Sequence, residues 1–174
     1  MLPLPSLPRR SYVIQPRVVQ GATLGQVLSS VYVHLVFSVK NREPFLRDAG
    51  IRGEMHAFLG GVAKRLGCPP VIIGGTEDHV HLLCRLSRTV SQADFVKELK
   101  RVSTIWIKQR NSTLAGFAWQ GGYGAFSVGT SNVDSVRKYI AEQEAHHKKW
   151  CFRDEYKALL RKHGIEWDER YVWE

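Results

Sequence analysis

The chain has 174 residues and is 44% hydrophobic, so it is long enough to bury the core of one globular domain. Lysine and arginine number 25 against 16 acidic residues, a formal net charge of +9 that favours a polyanionic partner such as a nucleic acid. No apolar run approaches the roughly 18 residues of a membrane-spanning helix, so we expect no membrane partner. Three cysteines without metal-site spacing, and no secretory signal, predict a soluble protein of the reducing cytoplasm.

The first 28 residues differ in composition from the rest of the chain. They contain four prolines and three arginines but no acidic residue. A proline-rich segment with charges of one sign is typical of disorder. We therefore predict that residues 1–28 form a disordered extension and that residues 29–174 form a single domain.

The remaining chain alternates between extended and helical patterns. We predict strands at 31–39, 70–75 and 79–86, helices at 48–66 and 91–110, extended structure at 117–129, and helices at 132–147 and 152–163. The order strand, helix, strand, strand, helix, strand is that of a ferredoxin-like fold. The predicted class is therefore α+β, with an antiparallel sheet and helices packed on one face.

Two histidines lie two positions apart in the third predicted strand, which reads His79-Val80-His81. Successive side chains of a strand point to opposite faces, so both imidazoles lie on one face. Two nitrogen ligands on one rigid strand make half a metal site, although a surface strand can also carry such a pair by chance. Histidine-triad hydrolases are excluded, because Leu83 stands where a third histidine is required.

The helix at 132–147 carries the other candidate residues. Its start fits the S-x-x-D capping box over Ser131–Asp134, and its apolar stripe is formed by Val133, Val136 and Ile140. Tyr139 and Gln143 are four residues apart, so they lie one turn from each other beside that stripe. By itself this pair is more typical of a tyrosine packed at the edge of the core than of a catalytic site.

The two motifs taken together resemble a known family. An H-x-H strand followed by Y-x-x-x-Q on a late helix is similar to the HUH single-tyrosine transposases, which are the IS200-like enzymes of the smallest bacterial insertion sequences and their REP-associated relatives. The likeness extends over roughly residues 29–174 and includes the strings at 32–40, 74–86, 117–127, 139–149 and 164–173.

The resemblance implies a metal-dependent enzyme that recognises DNA hairpins and cleaves and rejoins single-stranded DNA. Tyr139 would be the catalytic nucleophile, bonded transiently to a DNA 5′ phosphate while a 3′ hydroxyl is released. His79, His81 and Gln143 would hold one divalent ion, Mg²⁺ or Mn²⁺, which neutralises charge on the phosphate. The family generally works as a homodimer that combines one subunit's histidines with the other subunit's tyrosine helix.

Two other functions remain open. The same site would serve a repeat-processing or domesticated single-strand nuclease that acts on host palindromes. A DNA hairpin-binding protein without catalysis belongs to another functional class, but such a protein would need none of the four motif residues.

Basic residues outside the motifs are candidates for DNA contact. The helix at 91–110 has one apolar stripe, and its opposite face carries Lys97, Arg101 and Lys108. Positive charge also follows two of the predicted strands, at Lys40, Arg42, Arg85 and Arg88. Tyr123 lies among glycines and is a candidate for stacking on an unpaired base, whereas we interpret Trp119 and Phe126 as core residues.

Four further polar residues flank the motifs. Glu77 and Asp78 precede the first histidine, and we interpret them as turn residues, although they are also placed to orient that histidine. His146 and His147 follow Gln143, and adjacent histidines near a helix end are more typical of solvent-exposed positions.

Overall fold

The computed structural model describes residues 28–170, 172 and 173. Apart from Leu28, the predicted extension lies outside the described residues, so the domain boundary near residue 29 stays a prediction. The strands are β1 (Tyr32–Ser38), β2 (Pro70–Gly75), β3 (His79–Arg85) and β4 (Gly124–Val128). The helices are α1 (Ala49–Arg65), α2 (Gln92–Lys108), α3 (Val133–Ala141), α4 (Gln143–His146) and α5 (Phe152–Lys162). No helix among the described residues is both long and apolar enough to cross a bilayer.

The four strands form one antiparallel sheet in the order β2-β3-β1-β4. β1 and β3 pair along their whole length, from Tyr32 opposite Arg85 to Ser38 opposite His79. β4 pairs with the other edge of β1, and β2 pairs with the other edge of β3. With α1 between β1 and β2 and α2 between β3 and β4, this is the ferredoxin-like arrangement. It confirms the predicted α+β class.

Helices cover both faces of the sheet. On the first face, α1 and α2 pack against alternate residues of β1 and β3 and form the larger core, which includes Val33, Leu35, Phe37, Val80, Leu82 and Cys84. On the second face, α5 packs against Val36 of β1 and Phe126 of β4. The structure differs here from the prediction of helices on one face, because the chain after β4 returns across the sheet and covers the second face as well.

The predicted helix at 132–147 is two helices. α3 ends at Ala141, Glu142 leaves helical geometry with a ψ of 13°, and α4 begins at the buried Gln143. The predicted capping box is not formed, although all of its residues are described. Instead, Thr130–Asn132 forms a 3-10 turn, and Asn132 makes no side-chain bond to the first turn of α3.

The predicted extended segment at 117–129 forms a strand only over its second half, as β4. Before it, a single bridge joins Trp119 to Val39, just beyond β1. Trp119 and Phe126 are both buried, which confirms that they are core residues.

Two glycines allow helices to lie directly on the second face. A Cβ atom at Gly74 would stand 2.6 Å from the carbonyl oxygen of Ile140, so α3 rests against the backbone of β2. A Cβ atom at Gly124 would stand 2.9 Å from the ring of Tyr156, which lies on α5. Because Gly74 is paired with His81, the first contact places α3 beside the histidine strand.

Candidate active site

The two histidines of β3 point to the second face of the sheet, and both are completely buried. His79 stands opposite Ser38 of β1, and His81 stands opposite Val36. Their ring centroids are 5.1 Å apart. The shared face that strand alternation predicts is therefore confirmed, and it is the face that α3 covers.

Each histidine has its Nδ1 atom held by a neighbouring residue. His79 Nδ1 lies 2.7 Å from Asp78 Oδ1 and 2.9 Å from Thr76 Oγ1. His81 Nδ1 lies 2.9 Å from Nε2 of His34, a buried residue of β1. When Nδ1–H donates to these acceptors, the Nε2 lone pair is left free, which is the usual arrangement of a metal-binding imidazole.

Burial keeps the imidazoles of His81 and His34 neutral. It lowers the pKa of His81 to about 4 and holds the pKa of His34 well below its ordinary value. A neutral imidazole is the form that binds a metal ion. The Nε2 atom of His81 is buried and has no hydrogen-bond partner within the described part of the chain. A buried nitrogen without a hydrogen-bond partner fits the role of a metal ligand.

Glu155 of α5 brings a buried carboxylate to the same point. Its Oε1 atom is 3.7 Å from His81 Nε2, and its Oε2 atom is 3.9 Å from His79 Nε2. The ligand atoms of these three residues all lie within 4.8 Å of one another. Two imidazoles and one carboxylate form a donor set that suits a divalent ion, so the residues present fit a metal.

The carboxylate of Glu155 is held by several donors. It accepts hydrogen bonds from Gln143 Nε2 and from His147 Nε2, each at 2.8 Å, and from the hydroxyl of Tyr139. Burial by itself would raise the pKa of Glu155, but the hydrogen bond from His147 and the nearby imidazole of His81 outweigh it and hold this pKa well below its ordinary value. Glu155 is therefore a carboxylate at any physiological pH.

Tyr139 lies edge-on to the histidines of the sheet. Its ring centroid is 5.9 Å from that of His81 and 6.2 Å from that of His34. Burial and then the negative charge of Glu155 raise the pKa of Tyr139 well above its ordinary value, so the side chain is a neutral phenol. Gln143 completes the cluster, with Oε1 3.3 Å from His79 Nε2. All four motif residues predicted from the sequence thus lie together.

A family model described as "Transposase IS200 like" matches residues 27–143, a span that includes both histidines, Tyr139 and Gln143. The chain belongs to this family. Glu155, His146 and His147 lie beyond the matched span. No curated protein sequence matches the chain.

Two solved structures of transposases share the fold. A crystal structure of a candidate transposase from Deinococcus radiodurans, determined at 1.90 Å, is 24% identical and has a TM-score of 0.53, with 70% of this chain and 98% of that one covered. A REP-associated tyrosine transposase bound to a REP hairpin is 15% identical and also has a TM-score of 0.53, with 79% of this chain and 87% of that one covered. At these identities the likeness shows the fold alone.

The predicted DNA-contacting residues are spread over the molecule. Lys97, Arg101 and Lys108 lie on α2, which packs on the first face and is separated from Tyr139 by the sheet. Arg85 is the last residue of β3, at the end far from His79, and Arg88 lies three residues beyond it. The turn at Lys40–Arg42 follows β1 at the end where Ser38 faces His79. Their contact with DNA stays a prediction.

Arg42 does not touch the proposed metal ligands but packs against two residues beside His79. Its guanidinium donates to Asp78 and lies 4.0 Å from the ring centroid of Phe152, which in turn is 4.7 Å from that of His79. Burial would raise the pKa of Asp78, but the bond to His79 and the contact with Arg42 together lower it to about 2. Asp78 is thus more than the turn residue that we expect from sequence, because it orients His79.

Sequence reasoning missed several residues of this cluster. His146 and His147 are largely buried, so their interpretation as solvent-exposed is wrong, and His147 is bonded to Glu155. Glu155 was not predicted, although a signal exists: it falls three residues after Phe152 and five before Leu160, a charged residue within the apolar stripe of α5. His34 has a similar signal, as a polar residue in an otherwise apolar part of β1.

Proposed function

We propose that this chain is a metal-dependent transposase that recognises DNA hairpins and cleaves and rejoins single-stranded DNA, with Tyr139 as the nucleophile. One observation carries the proposal: the Tyr139 hydroxyl and the Nε2 atoms of His79 and His81 all face the carboxylate of Glu155. Cleavage of a phosphodiester by a protein nucleophile needs an oxygen beside a site for a cation. This cluster supplies both.

The proposed metal ligands are His79, His81 and Glu155, with Gln143 as a further oxygen donor. A divalent ion bound there, Mg²⁺ or Mn²⁺, would neutralise charge on the non-bridging oxygens of the scissile phosphate. Because the protein supplies only a few ligands, some coordination positions of the metal stay open for phosphate oxygens and water. Open positions are typical of a catalytic site rather than a structural one. Asp78 and His34 are not ligands themselves. Each contacts the Nδ1 atom of one histidine and so fixes the tautomer and orientation of that imidazole.

In the proposed step the Tyr139 oxygen forms a bond to phosphorus while the bond from phosphorus to the 3′ oxygen breaks. The products are a 5′ phosphotyrosine and a 3′ hydroxyl, whose proton comes from water. The phenol proton is released to water when the Tyr139 oxygen leaves Glu155 for the phosphate, because Glu155, a carboxylate with a lowered pKa, positions the O–H group rather than taking its proton. The phosphotyrosine is a phosphodiester like the bond that is consumed, so attack by a 3′ hydroxyl reverses the step and rejoins DNA without a nucleotide cofactor.

Hairpin DNA is the proposed partner. The net charge of +9 suits a polyanion, and the REP-associated structural neighbour was solved with a REP hairpin bound. A repeat-processing nuclease would use the same residues and would differ only in the DNA on which it acts. The homodimer implied by the family resemblance stays a prediction, but we propose that each active site is complete within one subunit, because one chain already brings Tyr139 beside its own His81.

A covalent trapping assay tests the proposal. Labelled hairpin oligonucleotides from the DNA around its own gene are incubated with the wild-type protein and with Tyr139→Phe, in Mg²⁺, Mn²⁺ or EDTA, and run on denaturing protein gels. Tyr32→Phe, at the far end of β1, is the matched control. We expect a slow-migrating adduct that requires both the metal and Tyr139 and that the control still forms. DNA binding without an adduct in any metal would instead favour a non-catalytic hairpin-binding protein.

A further inference from the structure

A cavity of about 350 Å³ opens beside the candidate active site, between the start of α5, the end of β1 and the loop before β4. This volume lies at the small end of the range for ligand-binding pockets, which suits one small planar group. The cavity is not used by the proposed cleavage chemistry.

The lining of the cavity is aromatic and basic. Its walls include Tyr123, Phe152, Tyr156, Trp173, Arg42 and Arg153. None of the residues that line it in the described part of the chain is acidic. Arg42 is paired with Asp78, whereas Arg153 lies 5.1 Å from the ring centroid of Trp173. Aromatic rings combined with guanidinium groups are the surface on which unpaired bases stack.

The cavity and the candidate active site share a wall. Phe152 lines the cavity, and its ring centroid is 4.7 Å from that of His79. Ser38 also lines the cavity and stands directly opposite His79 in the sheet. A group bound in the cavity is therefore one side chain away from the proposed metal ligands.

The loop at residues 120–122, which forms one wall of the cavity, is held in place by hydrogen bonds. Lys100 of α2 donates hydrogen bonds from Nζ to the carbonyl oxygens of Gln120, Gly121 and Gly122, at 2.8, 3.2 and 2.6 Å. The Gln120 side chain donates to the carbonyl oxygen of Trp173 on the opposite wall, at 3.0 Å. The cavity is thus preformed, so a ligand does not have to order its walls.

We propose that this cavity binds one unpaired base of the single-stranded DNA next to the scissile phosphate. The base stacks among the aromatic walls, and Arg153 contacts the adjoining backbone phosphate. Binding of one flanking base fixes where the strand crosses the active site, so the cavity sets which phosphodiester reaches Tyr139. This inference rests on the proposed function, because it takes single-stranded DNA as the substrate.

Filling the cavity tests this inference. Gly122 lines the cavity, and a Cβ atom there would have no atom within 4 Å, so Gly122→Trp adds bulk without a clash at its attachment point. Gly53 on α1 is equally open, lies outside the cavity lining and gives the matched control Gly53→Trp. Tyr123→Leu removes one aromatic wall and is a second, independent variant. All variants are made in the non-cleaving Tyr139→Phe protein, and their folding is checked by thermal melting.

The readout is the Kd, by fluorescence anisotropy, for a hairpin oligonucleotide with single-stranded flanks and for a series in which one flank position at a time is abasic. We expect one abasic position to weaken binding about tenfold, as the loss of one stacked base does. Gly122→Trp and Tyr123→Leu should weaken binding of the intact oligonucleotide by a similar factor and should not weaken binding of that abasic oligonucleotide further. Gly53→Trp should change neither Kd.

Two results would overturn the inference, and they are distinguishable. If the Tyr139→Phe protein binds the hairpin but Gly122→Trp lowers affinity for intact and abasic oligonucleotides alike, the cavity does not hold a base and the proposed function stands. If no hairpin or single-stranded DNA binds at all, the proposed function fails and this inference fails with it.

Discussion

The hydroxyl of Tyr139 donates a hydrogen bond to the carboxylate of Glu155, so the proposed nucleophile is bonded to a proposed metal ligand. The same carboxylate accepts bonds from Gln143 and His147. Burial and the charge of Glu155 raise the pKa of Tyr139, which stabilises the neutral phenol. The described arrangement therefore positions the tyrosine, and attack requires its oxygen to exchange this contact for the phosphate.

Glu155→Gln should weaken metal binding. The substitution keeps the size of the side chain but replaces an anionic ligand with a neutral one beside His79 and His81. We expect the affinity for Mn²⁺, measured by isothermal titration calorimetry, to fall by about tenfold or more. Glu144→Gln is the matched control, because Glu144 is exposed and pairs with Arg52. Equal Mn²⁺ affinities for wild type and Glu155→Gln would show that Glu155 is not a ligand.

Gly74→Ala should impair cleavage more than DNA binding. A Cβ atom at residue 74 would lie 2.6 Å from the backbone oxygen of Ile140, and a backbone atom cannot rotate away as a side chain can. α3, which carries Tyr139, must therefore move off the sheet. We expect a loss of about 1–3 kcal/mol in the free energy of unfolding and at least a tenfold slower rate of adduct formation.

Gly53→Ala is the control for Gly74→Ala. A Cβ atom at Gly53 meets nothing within 4 Å, and alanine is the better helix former, so stability should rise by up to about 1 kcal/mol. If Gly74→Ala formed the adduct at the wild-type rate, the close packing of α3 on β2 would not be what positions the tyrosine.

Most of the fold is predictable from the sequence. Strands β1 to β3 and helices α1, α2 and α5 lie within two residues of their predicted bounds, whereas β4 forms only in the second half of its predicted segment. Strand alternation also gives the face on which His79 and His81 lie. The break at Glu142 has no local signal, since neither glycine nor proline occurs from Val133 to His146. It depends on contacts that this segment makes with the rest of the molecule, and local propensity does not contain them.

Only part of the candidate site is predictable from the sequence, because the rest also depends on tertiary contacts. Tyr139 and Gln143 share a helical segment, and His79 and His81 share a strand, so spacing alone brings each pair together. Glu155 reaches the site because α5 crosses the second face, a tertiary arrangement that the spacing does not indicate. His34 reaches His81 through the register of β1 against β3, which the sequence of either strand alone does not fix.

Acid should destabilise the metal-free protein through His56 of α1. Burial, and then the charge of Arg52, lower the pKa of this imidazole from 6.5 to about 4 in the folded state. Between these two values the unfolded state binds more protons, so the free energy of unfolding falls as the pH is lowered from 6.5 to 4. The difference between the two pKa values corresponds to a loss of at most about 3 kcal/mol in the free energy of unfolding.

His56→Leu should remove this part of the pH dependence. Urea denaturation at pH 7 and at pH 4 would show a smaller loss of stability for the variant than for the wild type, by up to about 3 kcal/mol. The Nε2 atom of His56 is buried without a hydrogen-bond partner in the described structure, so no bond is lost with it. Parallel pH profiles for the two proteins would contradict the prediction.

A mixture of two inactive variants should remain inactive. Tyr139 lies beside His81 of its own chain, so one subunit holds every residue that the proposed step uses. We expect neither His79→Ala nor Tyr139→Phe to form an adduct, alone or after co-purification. Recovery of the adduct in the mixture would show that a homodimer combines the histidines of one subunit with the tyrosine of the other.

Mass spectrometry of the protease-digested adduct is the most direct measurement of the proposed chemistry. Cleavage after Lys138 yields a peptide that begins at Tyr139, which separates this residue from the other tyrosines. We predict that this peptide carries the DNA through its tyrosine and a 5′ phosphate, only when Mg²⁺ or Mn²⁺ is present. A DNA link on any other peptide, or a link that forms equally well in EDTA, would contradict Tyr139 as the metal-dependent nucleophile.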